Sequence, residues 1–151
     1  MEPGHNNDND CRSASQFVRN EEDKQRGMRF TLACAFRCAA AGLVATLQQQ
    51  KNARIHLAFA ALAVVLGIVL RIDLQGWLAI VLCVMLVFGI ECVNTALETV
   101  VDLVSPGYHD LAKRAKDCAA AAVLVVSIGS LVVAALVYGS ALYGLLLAGA
   151  G

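Results

Sequence analysis

Apolar and polar positions are segregated into blocks along this chain rather than interleaved. Residues 1–28 are polar, charged and aperiodic, and lack the apolar centre of a signal peptide. They predict a flexible cytoplasmic tail. From residue 29 to about 50 the stretch RFTLACAFRCAAAGLVATLQQQ is Ala-rich, with Phe30, Phe36 and Arg37. It predicts an amphipathic helix lying on a membrane surface, apolar side to the bilayer and Arg residues to the headgroups. Three long apolar runs follow. A helix crossing about 30 Å of hydrocarbon needs roughly 20 residues. Residues 55–72 supply 18, residues 77–101 supply 25, and the chain carries no charge over the 34 residues 118–151. Spans are therefore expected at about 55–72, 77–101 and 118–145. A tight turn, RIDLQG, joins the first two. The loop DLVSPGYHDLAKRAKD joins the second to the third, its Pro106-Gly107 pair breaking the helix. The predicted architecture is an all-α membrane protein: a polar tail at 1–28, then a membrane-embedded domain at 29–151 made of one surface helix and three transmembrane helices.

Composition supports that reading. Of the 151 residues, 58% are hydrophobic and only 16% charged, whereas soluble domains carry about a quarter charged residues. The net charge is zero, yet eleven of the twelve Lys and Arg fall at or before Arg54 or in the second loop, and Arg71 alone lies elsewhere. The positive-inside rule then predicts an N-in, C-out topology with that loop in the cytoplasm. No basic groove-lining helix or RNA-binding motif is present, so nucleic acid is not an expected partner. The six cysteines form no CxxC pair. They are read as small hydrophobes rather than as a metal site or disulfide framework.

The second span contains an anomaly. After the fourteen uncharged residues WLAIVLCVMLVFGI comes ECVNTALETVVD. At about 100° per residue, Glu91, Asn94, Glu98 and Asp102 fall within about 80° of one another, a polar row about 16 Å long flanked by Thr95 and Thr99. A charged side chain at mid-bilayer costs several kcal/mol. The bland reading of Asn94 and the threonines is hydrogen bonding between helices. Two acids seven residues apart on one face ask for a proton, a cation or a water-filled cavity. The third span opens on YHDLAKRAKDCAAAA, in which Lys113, Lys116 and Asp117 share a face. Running antiparallel to the second span, its basic start meets the end of the acidic row. Carboxylates, lysines and a His at such a boundary suit a metal-bound triphosphate. Arg114 suits an anchor on anionic headgroups. There is no GxxxxGK[ST] loop, GxGxxG turn or protein-kinase signature, so side chains and metal would have to hold any nucleotide.

These residues carry a resemblance. Glu91-Cys-Val-Asn94-Thr-Ala-Leu-Glu98-Thr-Val-Val-Asp102, then Tyr108-His109, Leu-Ala-Lys113 and Ala-Lys116-Asp117 ahead of an alanine run, resemble the prokaryotic diacylglycerol kinase and undecaprenol kinase family over about residues 28–145. The resemblance implies a homotrimer in the bacterial cytoplasmic membrane, with active sites shared between subunits at the cytoplasmic face. It implies transfer of the ATP γ-phosphoryl group, with Mg2+, to the hydroxyl of a membrane lipid. It makes Glu91 the general base beside that hydroxyl, Asn94 a polar positioner and Glu98 a metal ligand. Glu98, Asp102, Gly107, Tyr108, His109, Lys116 and Asp117 become nucleotide contacts, and Ala120 joins Glu91 at the lipid. In one place the chain departs from the family. Where a second acidic metal ligand stands four residues ahead of an Arg or Lys, this sequence has Gln50 ahead of Arg54. An amide oxygen binds Mg2+ more weakly than a carboxylate, so either that metal contact is weakened or water takes the role. The wording NARIHL and LAKRAKDCAAAAVLV favours undecaprenol as acceptor, with diacylglycerol second. Two other readings stay open: a small proton- or cation-handling channel or transporter subunit using Glu91 and Glu98 as a relay, and a family member inactivated by Gln50.

Overall fold

A computed structural model of the chain describes residues 32–149. The expected tail at 1–28 and the start of the surface helix lie outside the described residues. The chain divides between Ala45 and Thr46 into two units, and that boundary falls within the first helix, α1 (Leu32–Gln49). Three helices follow: α2 (Lys51–Val69), α3 (Leu74–Val104) and α4 (Asp110–Gly149). Each of these three is long and apolar enough to cross a membrane, and all elements among the described residues are helices.

Among the described residues the three membrane-length helices match the three apolar runs, but the boundaries differ, for a physical reason. Hydropathy marks the part of a helix that can sit in oil, whereas backbone hydrogen bonding continues through polar residues at the ends. So α2 begins at Lys51 rather than 55 and already turns at Leu70. Similarly, α4 begins at Asp110 rather than 118, which contracts the expected loop to 105–109. With 31 residues, α3 is about 46 Å long at 1.5 Å per residue, about 16 Å more than the hydrocarbon it has to cross. The excess is what lets a helix with an apolar first half carry Glu98 and Asp102 near its end.

The corner between α2 and α3 is tightly specified. Ile72 N–H bonds to the Gly67 carbonyl at 3.1 Å and Arg71 N–H to that of Ile68 at 3.2 Å, the paired bonds of a Schellman ending. Its left-handed position is held by Arg71, with φ 50°, where glycine is usual. The Asp73 carboxylate then accepts from Gly76 N–H at 2.8 Å and caps α3. A Cβ built on Gly67 would lie 2.9 Å from the Trp77 ring, so the α2 backbone packs directly against that ring of α3.

Helix α3 packs mainly along α4, and α2 touches both more lightly. Tyr138 on α4 ties that helix to α2 by donating to the Ala63 carbonyl at 2.7 Å. The buried apolar set is small: Ala53, Ile72, Ile80, Val87 and Val123. Most large apolar side chains of α2, α3 and α4 are exposed. A water-soluble chain would not expose so much apolar surface, whereas in a bilayer it meets lipid tails.

Candidate active site

The polar row of α3 is present, and its burial is graded. Glu91 is 1% exposed and Asn94 7%, Glu98 is half-buried, and the Asp102 side chain is open to solvent. The threonines do not tie helices together: Thr95 donates to the Glu91 carbonyl at 2.9 Å and Thr99 to that of Thr95 at 2.8 Å, both within α3. Asn94 also works within the helix, its side-chain amide donating to Glu98 Oε1 at 3.1 Å.

The link between helices comes from Gln50. Its amide Nε2 donates to Glu98 Oε2 at 3.0 Å, across 48 residues of sequence. Gln50 is thus brought to the metal-ligand candidate, but it presents an N–H there. Glu98 consequently has one amide donor on each oxygen, and an ionised carboxylate has about four acceptor positions in all, so room for further partners remains. Glu91 is different. Its Oε2 is buried and has no hydrogen-bond partner among the described residues, and neither has Asn94 Oδ1. An orphaned buried carboxylate oxygen is costly, and a group kept in that condition is a candidate for chemistry.

His56, on the second turn of α2, was not singled out by the sequence, where a lone His in an apolar run carries little signal. It lies close enough to Glu91 for the two side chains to interact electrostatically. His56 also lines an apolar cavity of about 520 Å3 between α2, α3 and α4, walled by Phe59, Phe88 and Tyr138 and reached by Ser127. The cavity ends at Val87 and Phe88, one helical turn from Glu91. The Ser127 hydroxyl is buried without a partner among the described residues. A larger cavity of about 910 Å3, around Arg71 and Asp73, lies at the other end of α2 and contains none of the row.

At the near end of the bundle, Lys116 of α4 is ion-paired to Asp102 of α3, and Lys113 to Asp117 within α4. The predicted meeting of the basic start of α4 with the acidic row therefore occurs. The connecting residues satisfy one another locally. Ser105 Oγ donates to the Gly107 carbonyl at 3.1 Å, and His109 Nδ1 accepts from Leu111 N–H at 3.2 Å, capping α4. Tyr108, 81% exposed, donates to Asp110 at 2.9 Å. That bond, with slight desolvation and the charge of Asp117, raises the phenol above its ordinary pKa. Gly107, Tyr108 and His109 thus follow the end of α3 beyond Asp102, and the hydrogen bonds of this loop stay local. Ala120 lies exposed on α4 and brings no polar group.

Glu98, a half-buried carboxylate with acceptor capacity left, could hold a divalent cation. Among the described residues, no group of three or more His, Cys, Asp or Glu is gathered to bind one. The donor set fits a Mg2+ that shares one carboxylate with substrate phosphates and water, the usual arrangement in phosphoryl-transfer sites, and does not fit an all-protein cage.

A membrane protein with three helices long enough to span, one almost fully buried acid a helical turn from an apolar cavity, and ion-paired charges at one end of the bundle, has the layout of an enzyme acting on a membrane-dissolved substrate. The prokaryotic diacylglycerol kinase family matches residues 37–138, and the chain belongs to this family of bacterial membrane lipid kinases. It is 34% identical over 100 residues to an undecaprenol kinase of Bacillus subtilis, covering 66% of this chain and 81% of that protein. It is 41% identical over 103 residues to a diacylglycerol kinase of Synechocystis, covering 68% of this chain and 59% of the relative. Identity to the Escherichia coli K12 diacylglycerol kinase is 44% over 64 residues, 42% of this chain and 52% of that one. The chain thus spans a little over half the length of the latter two.

Proposed function

We propose that this protein transfers the γ-phosphoryl group of ATP to the hydroxyl of a membrane lipid, with undecaprenol the favoured acceptor and diacylglycerol the second. The observation that carries the reading is Glu91: an almost fully buried carboxylate with an orphaned oxygen, one turn from an apolar cavity and on the same helix face as Glu98. In this reading the acceptor's hydrocarbon chain occupies the cavity and its hydroxyl reaches Glu91 Oε2. Glu91 takes the hydroxyl proton as the new O–P bond forms and the bond from the γ-phosphorus to its bridging oxygen breaks, leaving ADP. Phosphoryl transfer asks for positioning and charge neutralisation more than covalent chemistry. Bound Mg2+ would neutralise phosphate charge, with Glu98 as its protein ligand. Asn94 and Gln50 hold Glu98 in place, and Lys116, released from Asp102, is available to the phosphates with Tyr108, His109 and Asp117 nearby. The apolar wall favours an acceptor whose polar part is a lone hydroxyl, because diacylglycerol brings ester carbonyls that need donors or water.

The basic residues at 51–54 and 113–116 support a position at the cytoplasmic face for this end of the bundle, and the proposal includes α1 on the membrane surface and a homotrimer as the assembly. The test incubates the protein in lipid–detergent micelles with labelled ATP and either lipid. Label in extracted undecaprenyl phosphate exceeding that in phosphatidic acid is expected. No label in either lipid overturns the proposal and favours an inactive family member. Ion flux in proteoliposomes without label would favour the relay.

A further inference from the structure

We propose that Gln50 is a positioning residue for Glu98 that makes the site take its divalent cation only together with nucleotide phosphates; this rests on the lipid kinase reading. Gln50 is the single non-helical residue between α1 and α2, with φ −99° and ψ 121°. It occupies the N-cap of α2, where Ser, Thr, Asp or Asn would normally accept from the helix's own N–H groups. Gln50 makes no such bond. Its extended backbone instead sends the side chain to Glu98, at 3.0 Å. The residue is a poor cap and a good cross-helix donor, so its place is explained by Glu98 rather than by α2.

The electrostatic consequence follows from the donor's neutrality. Gln50 and Asn94 each give one N–H to Glu98, one per oxygen. This fixes the carboxylate without adding charge. A second carboxylate in the same place would repel the first, and a cation between them would relieve the repulsion even with no nucleotide bound. The amide removes that attraction. What remains is one immobilised carboxylate, and Mg2+ sheds its water reluctantly for so little. Phosphate oxygens supply the missing charge, so cation and nucleotide raise each other's affinity by the same factor.

The test uses the full chain in micelles and Mn2+ as the probe, read by loss of the free-ion electron paramagnetic resonance signal beyond the loss that the nucleotide analogue alone causes in protein-free micelles. Wild type is expected to retain Mn2+ about tenfold or more tightly with a non-hydrolysable ATP analogue than without it, a coupling of about 1.4 kcal/mol or more. Gln50→Glu is expected to bind Mn2+ without nucleotide at least about tenfold more tightly than wild type. Gln50→Ala should leave nucleotide-free binding weak while lowering kcat. Equal Mn2+ affinity of wild type with and without the analogue overturns the proposal, whether or not Gln50→Glu folds. So does nucleotide-free binding by wild type as tight as that of a folded Gln50→Glu. The metal titration needs no acceptor lipid, so a failed lipid-labelling assay bears on the proposed reaction and leaves this result standing.

Discussion

Lys116, in the second turn of α4, is ion-paired to Asp102, near the end of α3. Both side chains are partly open to solvent, so the pair contributes less than about 1 kcal/mol to stability. Its value lies in register, since it sets the basic start of one helix against the acidic end of the other. Lys116→Met is therefore expected to change the melting temperature little and to raise the KM for Mg-ATP about tenfold or more, as measured by steady-state kinetics at saturating lipid. Asp102→Asn should leave folding equally unaffected. A large loss of stability in either variant would show that the pair is structural.

Glu91→Gln should lower turnover by about a hundredfold or more, the range for loss of a general base. Nucleotide affinity, measured with a fluorescent ATP analogue, should stay within about threefold, because the proposed nucleotide contacts lie further along α3, in the loop after it and on α4. Stability in detergent should hold or rise, since a neutral amide replaces a buried carboxylate with an orphaned oxygen. Parallel loss of binding and turnover would remove Glu91 from the role of base.

Tyr108 donates to Asp110, and its phenol is held above the ordinary pKa by that bond first, with desolvation and Asp117 adding to it. The protonated form makes the bond, so this contribution to loop order is fully present below the ordinary tyrosine pKa of about 10. It is lost as pH rises through the higher folded-state value. Ultraviolet titration should therefore show a late-ionising tyrosine, absent in Tyr108→Phe and shifted down in Asp110→Asn. The neutral range should show no effect.

Gly67 faces the Trp77 ring at a distance no side chain tolerates. Gly67→Val should force α2 away from α3 and cost about 1–3 kcal/mol, the usual scale for overpacking. Thermal unfolding in micelles checks this, and Trp77→Leu in the same chain should recover part of the loss.

Much of the candidate site was legible before any fold was known. The row Glu91, Asn94, Glu98 and Asp102 follows from helical periodicity alone, and the opposition of α4's lysines to it follows from an antiparallel turn at Pro106. Both are local properties of one helix or one hairpin. The bland reading of the threonines as helix glue does not hold within this chain, because a hydroxyl can bond back to its own backbone, and Thr95 and Thr99 do so. His56 was missed because its significance depends on Glu91, 35 residues later.

By itself the sequence determined that three helices can cross a membrane, that acids sit on one face of the second, and where helix-breaking turns fall. Each of these depends on the repeat of a single helix or on the cost of charge in oil. Only the tertiary structure decided that Gln50 meets Glu98, that an apolar cavity ends one turn from Glu91, and which acid is left without a donor. Those depend on distances between segments far apart in the chain, and no periodicity within a segment encodes them.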